Sequence, residues 1–165
     1  KIICKRGIYM ENLLLTRIDD RLIHGQVMTA WMKVIPAKQI LIVDNKVAKD
    51  DFMLSVLKMS APTGVKVEVY SEEKAIEVFN KGLSEPTIML VKTPLTLKVL
   101  VDEGVDIKEI NIGGMGLNAD RKKLFKNIAA SDAEREVLKE FIFKGIDVKI
   151  QIIPAEKVID VKGLL

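Results

Sequence analysis

From Glu11 onward the chain alternates short, almost unbroken apolar runs with longer amphipathic stretches, and this alternation restricts the fold more than any other feature. "LLLTRID" (13–19), "QILIVD" (39–44), "KVEVYS" (66–71), "TIMLVKT" (87–93), "EINIGG" (109–114) and "DVKIQIIP" (147–154) read as strands. Between them lie helical patterns. "GQVMTAWMKV" (25–34) places Val27, Ala30, Trp31 and Val34 on one face. In "KDDFMLSVLKMSA" (49–61), Phe52, Val56 and Met59 recur at helical spacing, with Asp50 and Asp51 suited to a first turn. "SEEKAIEVFNKG" (71–82) opens on a Ser cap and closes on Gly, Pro94 starts "PLTLKVLVDEG", and "SDAEREVLKEFIFKG" (131–145) is capped by Ser131 or Asp132. "RKKLFKNIAA" (121–130) fits a short strand as well as a helix. Strands that are apolar throughout must be covered on both faces. The expected fold class is therefore α/β, a three-layer α/β/α sandwich with a mostly parallel open sheet.

The 165 residues fit one domain, and 48% hydrophobic residues supply a core. No apolar run approaches the ~20 residues of a membrane helix, and "KIICKRG" is too short and charged for a signal peptide. The net charge of +3 comes from scattered lysines, with no aromatic-interleaved basic stripe, so nucleic acid is not an expected partner. A single cysteine, Cys4, excludes an internal disulfide and suits a reducing cytosol. With one cysteine and one histidine no metal site is expected, and no cofactor motif stands out.

In an open α/β sheet, ligands sit outside the carboxyl ends of the strands. Three strand ends carry polar or glycine-rich sequence. The first, Asp20 to Gly25, holds the chain's only histidine, His24, immediately before a helix. A helix N-terminus offers unpaired N–H groups and partial positive charge, hence an anion site. The loop amides of Leu22, Ile23 and Gly25 are candidate donors, Arg21 offers a planar fork, and Gly25 lets the backbone approach. Asp19 or Asp20 can hold one imidazole nitrogen and leave the other free to attack. Arg17 reads as a member of a solvated charge cluster or a structural ion-pair partner. The second strand end, Lys92-Thr93, suits an anion pocket or a helix cap. The third, "GGMG" (113–116), lacks the spacing of a dinucleotide loop and reads as a tight turn, with Met115 and Leu117 as packing residues. From residues alone, a phosphoryl-carrying His24 and a hydrogen-bonded loop histidine stand about level.

"RIDDRLIHGQV" (17–27), followed by Trp31, resembles the IIB component of the mannose/fructose/sorbose family of the bacterial sugar phosphotransferase system. "NIGGM" (111–115) resembles a second motif of that family, and "VKTP" (91–94) sits where another active-site loop is expected. The resemblance runs from about Met10 to the end. It implies a single IIB domain over 10–165, with 1–9 as an extension outside the family pattern. It further implies a mostly parallel sheet of about seven strands, with antiparallel strands at one edge. His24 would accept a phosphoryl group from a phosphohistidine on a IIA domain and pass it to a sugar at membrane-embedded IIC and IID components. Arg21 would stabilise that group, and Asp19 would orient the imidazole. The protein would work in the cytoplasm at the inner face of the membrane, and a homodimer is allowed. The sugar is not specified. The competing readings are a non-enzymatic phosphate- or nucleotide-sensing module and an enzyme using His24 as general base.

Overall fold

The computed structural model describes residues 11–165; Cys4 and the expected extension 1–9 lie outside the described residues. Nine strands and five helices follow in the order β1 (Leu13–Asp19), α1 (Gly25–Met32), β2 (Gln39–Val43), α2 (Asp51–Met59), β3 (Lys66–Tyr70), α3 (Glu72–Lys81), β4 (Thr87–Val91), α4 (Pro94–Asp102), β5 (Glu109–Gly114), β6 (Lys122–Phe125), β7 (Ile128–Ala130), α5 (Asp132–Phe143), β8 (Asp147–Ile150) and β9 (Ile159–Asp160). Seven strands form one sheet in the order β3-β2-β4-β1-β5-β8-β9, parallel except for β9. This is the expected three-layer sandwich with an antiparallel edge. The ambiguous 121–130 stretch is a separate antiparallel hairpin, β6–β7.

Two apolar clusters sit on either side of the sheet. α3, α4 and α5 contribute Ala75, Phe79, Leu97, Leu100, Val137, Leu138 and Phe141 to one. α1 and α2 contribute Met28 and Leu57 to the other. Central strands β2 and β4 are buried at every position, as their continuous apolar runs require. α1 and α4 thus leave neighbouring strands β1 and β4 toward opposite faces. Their divergence opens a crevice at the carboxyl edge, where the His24 loop lies.

The helices exist where expected but turn differently. α1 buries Val27, Met28 and Trp31, while Val34 is exposed just beyond its end. α2 buries Leu57 and half-buries Met53, leaving Phe52 and Met59 74% and 82% exposed. Both apolar stripes were wide enough to fit more than one rotation, and the sheet selects one. The strand expected over 147–154 ends at Ile150, because Gln151 turns the chain with side-chain bonds to the carbonyls of Pro154 and Glu156. β9, a pair of residues, gave no sequence signal.

A candidate phosphoryl-accepting site

The site is built on the ends of β1, β4 and β5. Strand register sets Ile18 beside Val91 and Ile112, so the next residues of β1 and β4, Asp19 and Lys92, lie at one level, and Asp19 pairs with Gly114. The three loops singled out in the sequence are therefore brought together at one edge.

After Asp19 the chain makes a tight turn closed by the Leu22 N–H donating to the Asp19 carbonyl at 2.9 Å. Leu22 adopts φ 59°, a left-handed conformation that costs a non-glycine residue about 1–2 kcal/mol. Burial of its side chain in the α1/α2 cluster offsets that cost. The Leu22 amide, expected to face an anion, is thus spent on the turn. The amides of Ile23, His24, Gly25, Gln26 and Val27 have no hydrogen-bond partner among the described residues. His24 itself occupies the N-cap position in extended conformation, and its side chain makes no cap bond. Its ring is exposed and bonded to neither aspartate. A Cβ built on Gly25 would meet nothing within 4 Å, so the approach to these amides is open.

Asp19 does something other than hold the imidazole. Its carboxylate is 1% exposed and accepts four hydrogen bonds: from Arg17 Nη2 at 3.1 Å, and from the Arg21 backbone N–H, Nε and Nη2 at 3.1, 2.9 and 2.9 Å. No lone pair is left for His24. Burial pushes the Asp19 carboxyl up, but the Arg21 hydrogen bonds and the nearby Arg17 charge outweigh it, so its pKa lies below the ordinary carboxylate value. The two-pronged grip fixes the Arg21 guanidinium, whose Nη1 has no partner among the described residues, and whose side chain is partly exposed. Arg21 thus turns one unpartnered guanidinium edge outward, a geometry suited to an anion.

Arg17 departs furthest from expectation. It is a structural ion-pair partner, but not a solvated one: it is fully buried. Its guanidinium donates to Asn111 Oδ1 and the Gln151 carbonyl, pairs with Asp19, and stacks 5.6 Å from the centre of the Trp31 ring. Its Nε is buried without a partner. A central strand covered on both faces cannot carry an arginine to water, so the charge is met internally. "GGMG" is explained by the same crowding rather than by a turn. Gly113 and Gly114 belong to β5, and a Cβ on Gly113 would collide with the Arg17 guanidinium. One on Gly114 would fall 2.5 Å from Asp19 Oδ1. Met115 is buried as expected, whereas Leu117 is 75% exposed in the following loop.

At the third loop, Thr93 caps α4 by accepting from the Leu95 N–H, and donates to Glu134. Its hydroxyl is thereby occupied. Lys92, partly exposed, reaches only to 4.0 Å from Asp44 and keeps its ammonium available to an anion. Sequence reasoning missed two residues. Arg121 forks onto Glu134 and also donates to Asp20 Oδ2 and the Gly116 carbonyl. Glu134 is 5% exposed and also closes the Ser131 capping box of α5. The Ser131-x-x-Glu134 pattern signalled Glu134; nothing in 121–130 signalled Arg121.

Fold and site together define a three-layer α/β domain that presents an exposed imidazole, an anchored guanidinium and unpaired amides at its switch point. Comparison with known proteins makes the class specific. Residues 13–165 match the family model described as PTS system sorbose subfamily IIB component, and the chain belongs to that family. It is 34% identical over 148 residues to the N-acetylgalactosamine-specific phosphotransferase enzyme IIB component 1 of Escherichia coli, covering 88% of this chain and 94% of the relative. It is 31% identical over 153 residues to the mannose-specific EIIAB component of the same organism, covering 92% of this chain and 47% of that longer protein. The crystal structure of the IIBSor domain of the sorbose permease from Klebsiella pneumoniae superposes with a TM-score of 0.85 at 32% identity, covering 91% of this chain and 93% of that one. The chain is thus a IIB component of a phosphotransferase system that acts in sugar phosphotransfer.

Proposed function

We propose that His24 carries the phosphoryl group. The observation that supports this most is the N-terminus of α1, the one α-helix start among the described residues with no side-chain cap, placed beside an exposed imidazole and the free edge of Arg21. A ring nitrogen of His24 attacks the phosphorus of a phosphohistidine on a IIA domain. The new N–P bond forms as the donor's N–P bond breaks, and the donor imidazole leaves with the electron pair. Phosphoryl transfer has a loose transition state, so alignment and charge stabilisation supply most of the catalysis. Arg21 Nη1, the amides of Ile23 and Gly25, and the Lys92 ammonium take the charge on the equatorial oxygens.

In the second transfer a sugar hydroxyl held by the IIC/IID permease attacks. Its O–P bond forms as the His24 N–P bond breaks. A IIA domain as donor is supported by the relative in which IIA and IIB share one chain. Among the described residues no helix is long and apolar enough to cross a membrane. In this reading the chain docks from the cytoplasmic side onto a membrane partner.

Arginine and amides suffice for the charge, so transfer proceeds in EDTA; strict magnesium dependence contradicts this. The deciding experiment is phosphorylation by purified upstream carriers, followed by mapping of the modified residue. Acid-labile, base-stable phosphate on His24 is expected. Reversible phosphate binding with no covalent label supports the sensing-module reading instead.

A further inference from the structure

Asp20 lies four residues before His24 and ties the loop down twice. Its N–H donates to the Gly114 carbonyl at 3.0 Å, and its Oδ2 accepts from the Gly116 N–H at 2.7 Å and from Arg121 Nη1 at 3.0 Å. The Arg121 side chain is 8% exposed, so it is a fixed strut rather than a surface arm. Its Nη1 also donates to the Gly116 carbonyl at 3.1 Å, while Nε and Nη2 fork onto Glu134 at 2.9 and 2.7 Å. Glu134 in turn accepts from the Thr93 hydroxyl at 3.0 Å and the Ser131 N–H at 2.9 Å. One guanidinium therefore joins the His24 loop, the loop after β5, the start of α5 and, through Glu134, the start of α4.

The need for such a strut is physical. The His24 loop is held at its near end by a left-handed residue, a buried ion pair and the Asp20–Gly114 backbone bond, and Arg121 is the side chain that ties Asp20 and the loop after β5 onward to Glu134 at the start of α5. A displacement of about 1 Å of a reacting group can cost about 10²-fold in rate. Arg121 reaches no candidate phosphoryl ligand directly: its three nitrogens are spent on Asp20, Gly116 and Glu134.

We propose that Arg121 is a positioning residue for phosphoryl transfer, acting through Asp20 to latch the His24 loop to the end of β5. The proposal rests on the reading of His24 as phosphocarrier. Lysine cannot replace it, because one ammonium cannot serve both Glu134 and Asp20 in the fixed geometry of a guanidinium fork.

The test measures transfer rates for wild type, Asp20→Ala, Arg121→Gln, Arg121→Lys and the Asp20→Ala/Arg121→Gln double variant. Two phosphoryl donors are used, the phosphorylated IIA domain and the small molecule phosphoramidate. Folding is checked by thermal melting and circular dichroism. The latch predicts that Arg121→Gln lowers kcat about 30-fold with KM for IIA within about twofold, and that the rate with phosphoramidate falls in parallel. Arg121→Lys recovers less than half of the loss, and the double variant is no slower than the slower single one. A rate loss confined to the IIA donor overturns the proposal, since it makes Arg121 a docking contact. So do single effects that multiply in the double variant, or a lowered melting temperature with unchanged kcat. If Arg121→Gln fails to fold, Asp20→Ala alone decides, because it removes the acceptor of both the Gly116 and Arg121 bonds: a kcat within twofold of wild type with both donors rejects the latch. Wild-type protein that is never labelled on His24 by either donor instead rejects the phosphocarrier reading itself.

Discussion

Helices α1 and α5 begin at the same edge of the sheet and are finished in opposite ways. α5 starts with a complete capping box: Ser131 accepts from the Glu134 N–H, Glu134 accepts from the Ser131 N–H, and Asp132 and Glu134 add negative charge to the first turn. α1 starts with His24, no side-chain cap and no acidic residue in its first turn. Each orphan donor at a helix start is a stability cost that a serine or aspartate removes for about 1 kcal/mol. The chain spends such residues at α2, α3, α4 and α5 and withholds one only at α1. In the proposed reading the terminus left open is the one that receives the phosphoryl group, so the difference would separate structural from functional use of one local motif.

The largest effect comes from filling the space that supports the open terminus. Gly113→Ala drives a methyl into the buried Arg17 guanidinium and breaks a buried ion pair, costing about 3–5 kcal/mol, read as the fall in chemical-denaturation stability. An unchanged midpoint contradicts the crowded geometry. Arg21→Ala strips two side-chain hydrogen bonds from the buried Asp19 carboxylate and so lowers the denaturation midpoint, and in the folded protein it slows phosphoryl transfer about 10²-fold, the loss expected for one charge-stabilising donor; a rate within threefold of wild type removes Arg21 from the account.

The Asp19 network sets a pH dependence of definite sign. The folded-state pKa of Asp19 is depressed, so its stabilisation is present in full above the unfolded value of about 3.9 and is lost as pH falls through the lower folded value. Melting temperature should hold steady above about pH 5 and drop as acid protonates Asp19. Stability that rises on acidification contradicts the ion-paired carboxylate.

The smallest effects contrast the two helix starts directly. Ser131→Ala costs about 1 kcal/mol of stability and leaves transfer unchanged. Gln26→Glu supplies the missing acidic charge to α1, stabilises the protein by about 0.3–1 kcal/mol, and slows transfer by opposing the phosphoryl charge. If both variants move stability and transfer together, the two termini do not divide structure from function.

The layered fold was legible because apolar runs such as Ile40–Val43 and Ile88–Val91 leave no face for water, and the caps at Ser71, Thr93 and Ser131 mark helix starts. Helix rotation was not, since Phe52 and Met59 match a helical stripe as well as Met53 and Leu57 do. At the site, His24 and Arg21 were found from their place before a helix. The burial of Arg17 was readable in principle, because a charge inside a doubly covered central strand has nowhere else to go. The role of Asp19 was misplaced: only coordinates show that two arginines use up its oxygens. Arg121 and Asp20 stand 101 positions apart, and no local pattern pairs residues at that separation.

The central claim is that the open start of α1 presents His24 for covalent phosphorylation. Incubating wild type and His24→Ala with a radiolabelled phosphorylated IIA domain, then locating the acid-labile phosphate by peptide mapping, tests it most directly. The account predicts one label, on His24, absent from a normally folded His24→Ala. A label that persists in His24→Ala, or that maps to any other residue, contradicts it.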